Sequence, residues 1–469
     1  MNGFRLYSVE IDNRSISTER IKLVDDFKSS NGNYFSLIVG NNGTGKSRIL
    51  SGIARIFNGI LKNETQPIEF RTSHLEFNKI PSKIIAITNS ISDKFPIDES
   101  FRPLIRDNRR NFHKDFTYNY LGTRNRGNSF SNRALINRAL EIVFESYSEL
   151  DVSRNYRHIF DYLDYEPIIK LNYKFAGAFF DRGHPINQQS LIDFVKERYN
   201  NTFFSRDSYL MELVITRAGE LCDFIQIKLE QYSRENELMI NFSEKNIGRI
   251  QVDHSLYSSG VYEYELLDIL RKVGLIRPFE IQVFKKGGKP FNFKEASSGE
   301  ANILSTLLSL TPLLRDSSLI LIDEPEISLH PQWQAKYIDL LNKILENVSG
   351  CHIIIASHSP FLASDLKPDC SAVISLFNKK GTIQSRNIEQ STYGWSAEDI
   401  LLNVFGMQST RNINLYEYVS KALMLLADNN RSSSELAGIQ YKLSEFFPSI
   451  LDSDPMKAVI KAILDANNK

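Results

Sequence analysis

The sequence has few cysteines and no apolar run long enough to span a membrane. Its three cysteines, Cys222, Cys351 and Cys370, are scattered along 469 residues, which rules out a disulfide scaffold or a cysteine-rich zinc site. The most apolar stretch, Leu304–Leu314, is interrupted by Ser, Thr and Pro and is shorter than the about 18 residues that a membrane span needs. The opening segment is charged early and strand-like, unlike a signal peptide. We therefore expect a cytoplasmic protein with no membrane partner.

The sequence also lacks an excess of charge of either sign. Lys and Arg number 56, as do Asp and Glu, so the formal net charge is zero. This balance argues against indiscriminate coating of nucleic acid, although a local basic patch can occur within it. The 42% hydrophobic and 24% charged residues are typical of a globular protein. A chain of this length corresponds to about two or three compact units.

Hydrophobic periodicity divides the chain into four predicted parts. Residues 1–95 are expected to form the N-terminal lobe of an α/β domain, 96–275 a mostly helical insertion, 276–400 the C-terminal lobe and 401–469 a helical tail. The expected strands are Phe4–Ile11, Tyr34–Val39, Ile84–Ile87, the hairpin of Glu280–Phe284 with Pro290–Phe293, Ser318–Ile322 and His352–Ala356. The main expected helices are Ser47–Leu61, Leu135–Tyr147, Leu191–Tyr199, Tyr209–Tyr232 and Pro331–Glu346.

A glycine-rich loop stands where an apolar strand meets a helix. Its residues satisfy the G-x-x-x-x-G-K-S pattern and are Gly40, Asn41, Asn42, Gly43, Thr44, Gly45, Lys46 and Ser47. The glycines let backbone N–H groups turn toward a phosphate, and the helix adds the positive end of its dipole. Lys46 supplies a cation for the β- and γ-phosphates, and the Ser47 hydroxyl is a ligand for Mg²⁺. A flexible loop with a chance Lys-Ser pair is the alternative, which the flanking strand and helix disfavour.

Two adjacent acids follow a very apolar segment. Leu319–Ile322 leads into Asp323 and Glu324, and a continuous apolar run is typical of a buried parallel strand. Open α/β sheets bind ligands at the carboxyl ends of their strands. Asp323 is therefore the candidate that holds Mg²⁺ directly or through water, and Glu324 the candidate general base. Alone the pair is equally consistent with a solvated acidic turn, and the phosphate loop upstream favours the catalytic interpretation.

A histidine follows the next apolar strand. Ile353–Ala356 is followed by Ser357, His358 and Ser359. A histidine at this position can donate a hydrogen bond to the γ-phosphate or to the attacking water. A lone histidine at a turn usually has no such role, but a position one strand beyond the acids favours it.

A serine-glycine turn precedes a leucine-rich helix. We expect Ser298 to be the N-cap of this helix, and Ser298, Gly299 and Glu300 to form a second anion-binding helix N-terminus. By itself this pattern is a common helix start. Its meaning depends on its position after the phosphate loop and before the acids.

The order of these motifs resembles the ABC-class ATPases, most closely the soluble branch with the SMC, RecF and overcoming-lysogenization-defect proteins. DEPEISLHPQWQ and ASHSPF are most similar to the AAA_21-type ATPases of prokaryotic antiphage defence systems, among them Septu and retron-associated ATPases. The resemblance covers roughly residues 30–90 and 280–365. It implies an α/β fold, namely an ABC-ATPase head with a mixed sheet flanked by helices, an inserted helical subdomain and a helical C-terminal tail.

The resemblance also implies a homodimer that closes head to tail on ATP. The phosphate loop, Asp323, Glu324 and His358 of one subunit would then face Ser298 and Gly299 of the partner subunit. The physical reason is that a γ-phosphate bound to one loop still lacks donors, which a second helix N-terminus supplies. Hydrolysis removes this bridge, so that ATP acts as a clamp.

Further positions follow from the same resemblance. Ser328, Leu329 and His330 would lie along the dimer interface. The signature reads SSGE rather than LSGGQ, which is common in the soluble branch. No clear lid glutamine follows Ile84–Ile87, and Asn89 is the candidate substitute.

A basic and aromatic segment is the candidate contact to nucleic acid. Between Arg102 and Arg133 the basic residues greatly outnumber the two acids, and aromatic side chains are interleaved. This combination suits phosphate contact with base stacking. It is equally typical of a solvated loop or a surface that docks a protein. The residues concerned are Arg102, Arg106, Arg109, Arg110, Lys114, Arg124, Arg126 and Arg133, with Phe112, Phe116, Tyr118 and Tyr120.

No nuclease is expected within this chain. The paired acids nearest the C-terminus, Asp452 and Asp454, lie in a helical tail, without the strand glutamate that a Toprim site needs. The remaining histidines are dispersed without metal-ligand spacing. They are His74, His113, His158, His184 and His254. A nuclease or toxin effector is therefore expected to be a separate chain.

Four functions remain open from the sequence. The first is a cytoplasmic ATPase that dimerises on ATP and controls a separately encoded effector in antiphage defence. The second is a RecF- or SMC-like ATPase of DNA repair or chromosome maintenance. A transporter subunit is disfavoured by SSGE and by the inserted helices, and a non-hydrolysing nucleotide-gated scaffold is the fourth.

Overall fold

A computed structural model describes most of the chain in two compact units, Met1–Gly394 and Trp395–Lys469. The described residues are 3–25, 32–62, 70, 72–90, 92–97, 118–122, 124, 132–145, 153–176, 178–201, 208–231, 235–243, 260–428 and 434–467. Among them, no helix combines the length and the apolar character needed to cross a bilayer. The predicted boundaries 1–95, 96–275, 276–400 and 401–469 stay predictions.

The described residues form sixteen strands and sixteen α-helices. The strands are β1 (Leu6–Glu10), β2 (Asp12–Asn13), β3 (Ile16–Ser17), β4 (Ile21–Lys22), β5 (Tyr34–Gly40), β6 (His74–Phe77), β7 (Ile84–Thr88), β8 (Tyr118–Gly122), β9 (Tyr165–Lys174), β10 (Glu235–Asn241), β11 (Glu280–Lys285), β12 (Pro290–Asn292), β13 (Leu319–Asp323), β14 (His352–Ala356), β15 (Ser371–Lys379) and β16 (Thr382–Asn387). The helices are α1 (Lys46–Leu61), α2 (Asn132–Glu145), α3 (Ser153–Tyr162), α4 (Ala178–Asp181), α5 (Gln188–Asn201), α6 (Ser208–Thr216), α7 (Ala218–Gln231), α8 (Gly260–Lys272), α9 (Ser298–Leu310), α10 (Pro331–Gln334), α11 (Tyr337–Ile344), α12 (Pro360–Ser364), α13 (Ala397–Asn403), α14 (Ile413–Ala427), α15 (Ser434–Phe446) and α16 (Pro455–Leu464).

A seven-stranded sheet forms the centre of the first unit. Its order is β16-β15-β5-β14-β13-β7-β8, and all neighbours are parallel except β15 and β16. The inner strands are buried along their whole length, as the continuous apolar runs predicted. The predicted α/β fold class is confirmed.

The register of this sheet brings four loops to one edge. Asp323 at the end of β13 pairs with Ala356 of β14 and with Thr88 of β7. Ala356 in turn pairs with Ile38 of β5. Because these strands are parallel, the segments that follow β5, β14, β13 and β7 leave the sheet side by side. The glycine-rich loop, the histidine, the acids and Asn89 are therefore neighbours.

Helix α1 covers this sheet with one apolar face. Ile49, Ile53 and Phe57 recur at helical spacing and are fully buried, as expected for an amphipathic helix. They share one core with residues of the small antiparallel sheet β4-β1-β6, among them Leu6 and Val9. The helix that begins at the phosphate loop is thus fixed from both sides.

The predicted insertion contributes strands as well as helices to a second sheet. Its strands β9 and β10 join β11 and β12, which follow it in sequence, in an antiparallel sheet of order β10-β9-β11-β12. Helix α2 packs along α9, and Asn132 at its start donates to the Ala296 carbonyl at 3.0 Å. Arg271 of α8 donates to Glu141 of α2 at 2.7 Å, which joins these two helices.

The second unit has its own small core. Leu415 of α14, Leu436 and Leu443 of α15 and Ile460 of α16 are buried together. Just before α14, Arg411 forms a bidentate ion pair with Asp454, the N-cap of α16, at 2.6 and 2.8 Å. This part of the chain is helical, as predicted.

Several predicted elements differ from the structure in their bounds. The expected helix Pro331–Glu346 is two helices, since Ala335 and Lys336 separate α10 from α11. The expected helix Tyr209–Tyr232 is divided at Arg217 into α6 and α7. The unpredicted strands are β2, β3, β4, β6, β8, β9, β10, β15 and β16. The alternation of apolar and polar residues from Ile169 to Lys174 is a usable signal for β9, but its internal proline is unfavourable for a central strand.

Candidate active site

The glycine-rich loop connects β5 to α1 and needs glycine at two positions. Gly45 is the N-cap of α1 and has φ +81°, a left-handed conformation that glycine adopts without strain. A Cβ added to Gly40 would lie 2.7 Å from the Leu376 carbonyl oxygen of β15, which is a steric clash. The loop backbone therefore stays free to approach a phosphate closely.

The ammonium group of Lys46 lies inside the loop. Its Nζ donates to the Gly40 carbonyl at 2.9 Å and to the Asn41 carbonyl at 3.3 Å. Burial lowers the pKa of Lys46, and the carboxylates at the end of β13 oppose that shift. This ammonium group is held by carbonyl oxygens at the N-terminus of α1, where it can exchange them for phosphate oxygens.

Ser47 and Asp323 join the loop to the acid strand. The Ser47 hydroxyl donates to the Asp323 carboxylate at 2.9 Å, although 276 residues separate them in sequence. Burial raises the pKa of Asp323 to about 7, and the hydrogen bond from Ser47 opposes the shift. A bound divalent cation would hold this carboxylate ionised.

This hydroxyl and carboxylate fit Mg²⁺. The ion prefers oxygen ligands and usually keeps only one or two from the protein, with phosphates and water completing its shell. No group of three or more His, Cys, Asp or Glu side chains within the described ranges is arranged to hold a metal ion. Ser47 and Asp323 are the side chains that would hold Mg²⁺ beside a triphosphate.

Glu324 and His358 converge next to this pair. Glu324 Oε1 lies 4.0 Å from His358 Nε2, and the two side chains are 27% and 32% exposed. Glu324 has φ +49°, a costly conformation for a residue with a side chain, and its N–H donates to the Ala356 carbonyl of β14 at 2.9 Å. Burial and the charge of Lys46 lower the pKa of His358, so the imidazole is neutral at pH 7 and carries one N–H donor.

A third acid, Glu326, supports the histidine turn. Its carboxylate accepts the backbone N–H of His358, and burial raises its pKa. Sequence analysis did not single out this residue. The only available signal was a third acid in the Asp-Glu-Pro-Glu run, since the contact depends on the neighbouring positions of β13 and β14.

The signature turn, residues Ser297–Glu300 at the start of α9, is capped one residue earlier than predicted. The prediction of Ser298 as the N-cap is wrong, because Ser297 has the extended conformation of a cap and Ser298 is already helical. Ser297 Oγ accepts from the Glu300 N–H at 3.2 Å, and the Glu300 carboxylate accepts from the Ser297 N–H at 2.8 Å. This capping box leaves Ser298 exposed and occupies the side chain of Glu300.

Gly299 lies against the segment that follows the acids. A Cβ at Gly299 would clash with the Ser328 carbonyl oxygen, so glycine is required here. Ser328 has φ +64°, and Leu329 beside it is buried. His330 Nδ1 accepts from the Gln332 N–H at 3.3 Å and caps α10. The signature turn and the Ser328–His330 segment thus pack against each other within one head.

Asn89 is held beside the acid turn. Its Nδ2 donates to the Pro325 carbonyl at 3.2 Å, and the residue is buried. The structure therefore brings Asn89 to the expected edge of the sheet. Its role as the lid residue stays a prediction.

Most of the basic and aromatic segment lies outside the described residues, namely Arg102, Arg106, Arg109, Arg110, Lys114, Arg126, Phe112 and Phe116. Four described residues of the segment have partners within the head. Arg124 forms a bidentate pair with Asp93 at 2.7 and 2.6 Å, and Arg133 donates to the Phe279 carbonyl at 2.6 Å. Tyr118 and Tyr120 are buried in β8. These four side chains support the fold.

The site combines the parts of an ABC-class P-loop ATPase. A glycine-rich loop before a helix, a serine hydrogen-bonded to an aspartate, an acid beside a histidine, and a separate serine-glycine helix start occur on one α/β head. The profile of the AAA_21 family, described as "AAA domain, putative AbiEii toxin, Type IV TA system", matches residues 35–365. This is more than half of the chain, which therefore belongs to that family.

Individual proteins are similar to this chain over part of its length. The Septu protein PtuA of Bacillus thuringiensis is 30% identical over 145 residues, which are 30% of this chain and 35% of the relative; the chain thus spans about a third of that relative's length. The Retron Vc95 probable ATPase of Vibrio cholerae serotype O1 biovar El Tor is 21% identical over 440 residues, covering 83% and 79% of the two chains. Among solved structures, an SMC head bound to the C-winged helix domain of ScpA is 12% identical with a TM-score of 0.35, covering 82% of this chain and 97% of that one.

Proposed function

We propose that this chain binds ATP with Mg²⁺ and hydrolyses it between two heads that close head to tail. The proposal is carried by one observation, the Ser47–Asp323 hydrogen bond of 2.9 Å, which unites the end of the phosphate loop with the acid strand. Lys46, Glu324 and His358 surround that bond. The arrangement matches what phosphoryl transfer requires, namely positioned phosphates, a cation and a base near the attacking water.

Each side chain has a distinct role in this proposal. Lys46 binds the β- and γ-phosphates, and Ser47 with Asp323 holds Mg²⁺, which neutralises phosphate charge when bound. Glu324 accepts the proton of the attacking water. The neutral His358 donates its single N–H to the γ-phosphate or that water.

The proposed dimer explains the separate position of the signature. The signature turn contacts Ser328 and Lys285, whereas the phosphate loop contacts Ile16 and Leu376, so different parts of the head hold them. Ser298 is exposed at the start of a 13-residue helix. An exposed hydroxyl at a helix N-terminus suits a γ-phosphate held by a second copy.

We further propose that the closed dimer controls a separately encoded effector in antiphage defence. The support is similarity to the Septu protein PtuA and to the Retron Vc95 probable ATPase. The candidate acids of the tail have structural partners, since Asp454 pairs with Arg411 and Asp452 with Lys457. They are therefore poorly suited to a nuclease site of this chain's own.

Three experiments test the proposal. Purified protein should release phosphate from ATP in a Mg²⁺-dependent manner, and light scattering should detect a dimer with ATP that is absent with ADP. Protein that binds ATP without releasing phosphate would instead support the nucleotide-gated scaffold. Purification with the products of neighbouring genes, with and without ATP, should yield a co-eluting effector.

The second candidate, a DNA-binding repair or maintenance ATPase, has a separate test. It predicts binding to DNA ends that weakens steeply with added salt. The described residues of the basic segment offer it little support, because Arg124 and Arg133 are engaged within the head. Salt-sensitive DNA binding would nevertheless favour this candidate over effector control.

A further inference from the structure

We propose that Gln334 is a positioning residue. It couples the histidine turn, Ser357–Ser359, to the signature turn of the same head. The inference rests on the proposed ATP sandwich, the dimer in which two heads close around ATP. It concerns how one head aligns its phosphate-loop side with its signature side. Gln334 is the last residue of α10 and is partly buried. None of the motifs that define the class assigns it a function.

Both halves of the Gln334 amide are engaged, each with a different loop. Its Nε2 donates to the Leu329 carbonyl at 3.0 Å, and its Oε1 accepts from the Ser359 hydroxyl at 2.7 Å. A flipped amide would place its oxygen against the carbonyl oxygen of Leu329, which is also only an acceptor. The orientation is therefore fixed, and the two loops move together.

One end of this link is the histidine turn. Ser359 directly follows His358, is 3% exposed, and caps α12 by accepting the Phe361 N–H at 3.3 Å. The N–H of His358 itself donates to the Glu326 carboxylate. The turn is thus attached at two points to the segment that runs from Glu326 to Gln334.

The other end of the link is the signature turn. Leu329 follows Ser328, whose left-handed backbone directs its carbonyl oxygen against Gly299. A displacement of His358 toward a γ-phosphate therefore reaches Gly299 through Gln334, Leu329 and Ser328. Because the signature of one head serves the ATP bound by the other, this path couples the two ATP sites of the proposed dimer.

The test uses Glu324→Gln as the background, so that ATP stays bound. Gln334→Met keeps the length of the side chain but removes both hydrogen bonds. We expect it to weaken ATP-dependent dimerisation by about tenfold, the equivalent of one to two lost hydrogen bonds. The ATP affinity of the monomer should stay within about twofold, since no residue of the phosphate loop changes. Sedimentation measures the dimer, and titration with a fluorescent ATP analogue measures the monomer.

A matched control and a double variant complete the test. Gln332→Met lies on the same short helix with its side chain exposed and should leave the dimer unchanged. Ser359→Ala should also weaken the dimer, and the double variant should weaken it by less than the sum of the two single effects, because both changes break the Gln334–Ser359 hydrogen bond.

Three results would overturn the assignment. The first is a Gln334→Met dimer as stable as the Gln332→Met dimer, and the second is strictly additive effects in the double variant. The third is loss of monomer ATP binding together with a lower melting temperature, which would indicate a folding role. A background protein that binds ATP but stays monomeric would reject the ATP sandwich itself, before any Gln334 variant is made.

Discussion

The phosphate loop and the signature turn are both helix N-termini suited to anions, but they are capped differently. Helix α1 begins after Gly45, which has no side chain to cap it. Helix α9 begins after Ser297, which forms a complete capping box with Glu300. The first N–H groups of any helix need partners from outside it. No side chain caps α1, whereas the capping box of α9 already satisfies part of the N–H groups of that helix.

This difference assigns unequal roles to the two turns. The phosphate loop adds the buried Lys46 and the Ser47–Asp323 pair to a helix start without a side-chain cap, so we expect it to bind ATP without help. The signature turn adds mainly the exposed Ser298 and the dipole of α9, which amounts to a supplementary contact. The variants below separate binding from closure, beginning with the largest effect.

Removing the cation of the phosphate loop should have the largest effect on ATP binding, on which hydrolysis and closure both depend. We expect Lys46→Ala to lower ATP affinity by about 100-fold, since a charge-assisted contact contributes up to about 3 kcal/mol, and thereby to abolish activity. Isothermal titration with ATP and Mg²⁺ measures the affinity. Lys62→Ala, an exposed lysine just beyond α1, is the control. Unchanged affinity in Lys46→Ala would refute the assignment of the phosphate loop.

Removing the base should leave binding intact. We expect Glu324→Gln to retain ATP and to slow hydrolysis by about 10²–10⁴-fold, the usual contribution of a general base. Phosphate release under saturating ATP measures the rate, and Glu389→Gln, an exposed glutamate of the same unit, is the control. Normal turnover in Glu324→Gln would mean that another residue is the base.

The phosphate loop and the acids were predictable because each motif is a short contiguous run next to an apolar strand. Gly40–Ser47 and Asp323 with Glu324 lie where the pattern placed them. The start of a helix at the serine-glycine turn was predicted, but its cap was assigned to Ser298 because two adjacent serines are equally good caps. The spacing of Ser297 and Glu300 is that of a capping box, and this signal could have decided between them.

The side-chain contacts between the motifs could not be predicted from the sequence. Glu326 and Gln334 contact the histidine turn only because the sheet places β13 beside β14, and strand order is a property of the whole fold. Tyr118, Tyr120 and Arg124 illustrate the converse. Their composition suggested a nucleic-acid contact, while β8 and Asp93 give them structural roles. Composition alone does not distinguish a buried aromatic residue from an exposed stacking platform.

Blocking the signature should separate closure from binding. We expect Ser298→Arg to keep monomer ATP affinity within about twofold, because distant sites act independently, and to prevent the ATP-dependent dimer through steric overlap. Sedimentation in the Glu324→Gln background measures the dimer. Ser444→Arg, an exposed serine on α15, is the matched control. Full activity from Ser298→Arg would contradict a shared ATP site.

The smallest expected effect distinguishes the two serines of the signature. Ser297→Ala should destabilise the head by about 1 kcal/mol, the usual loss for an N-cap, because the Glu300 N–H would lose its partner. Ser298→Ala should leave stability unchanged, since its exposed hydroxyl is not the cap, but should weaken ATP-dependent dimerisation. Thermal melting measures the stability of the two variants, and sedimentation measures their ATP-dependent dimerisation. Equal melting temperatures, with equal dimer constants, would mean that the two serines are interchangeable and that the comparison between a self-capped and a ligand-capped helix is wrong.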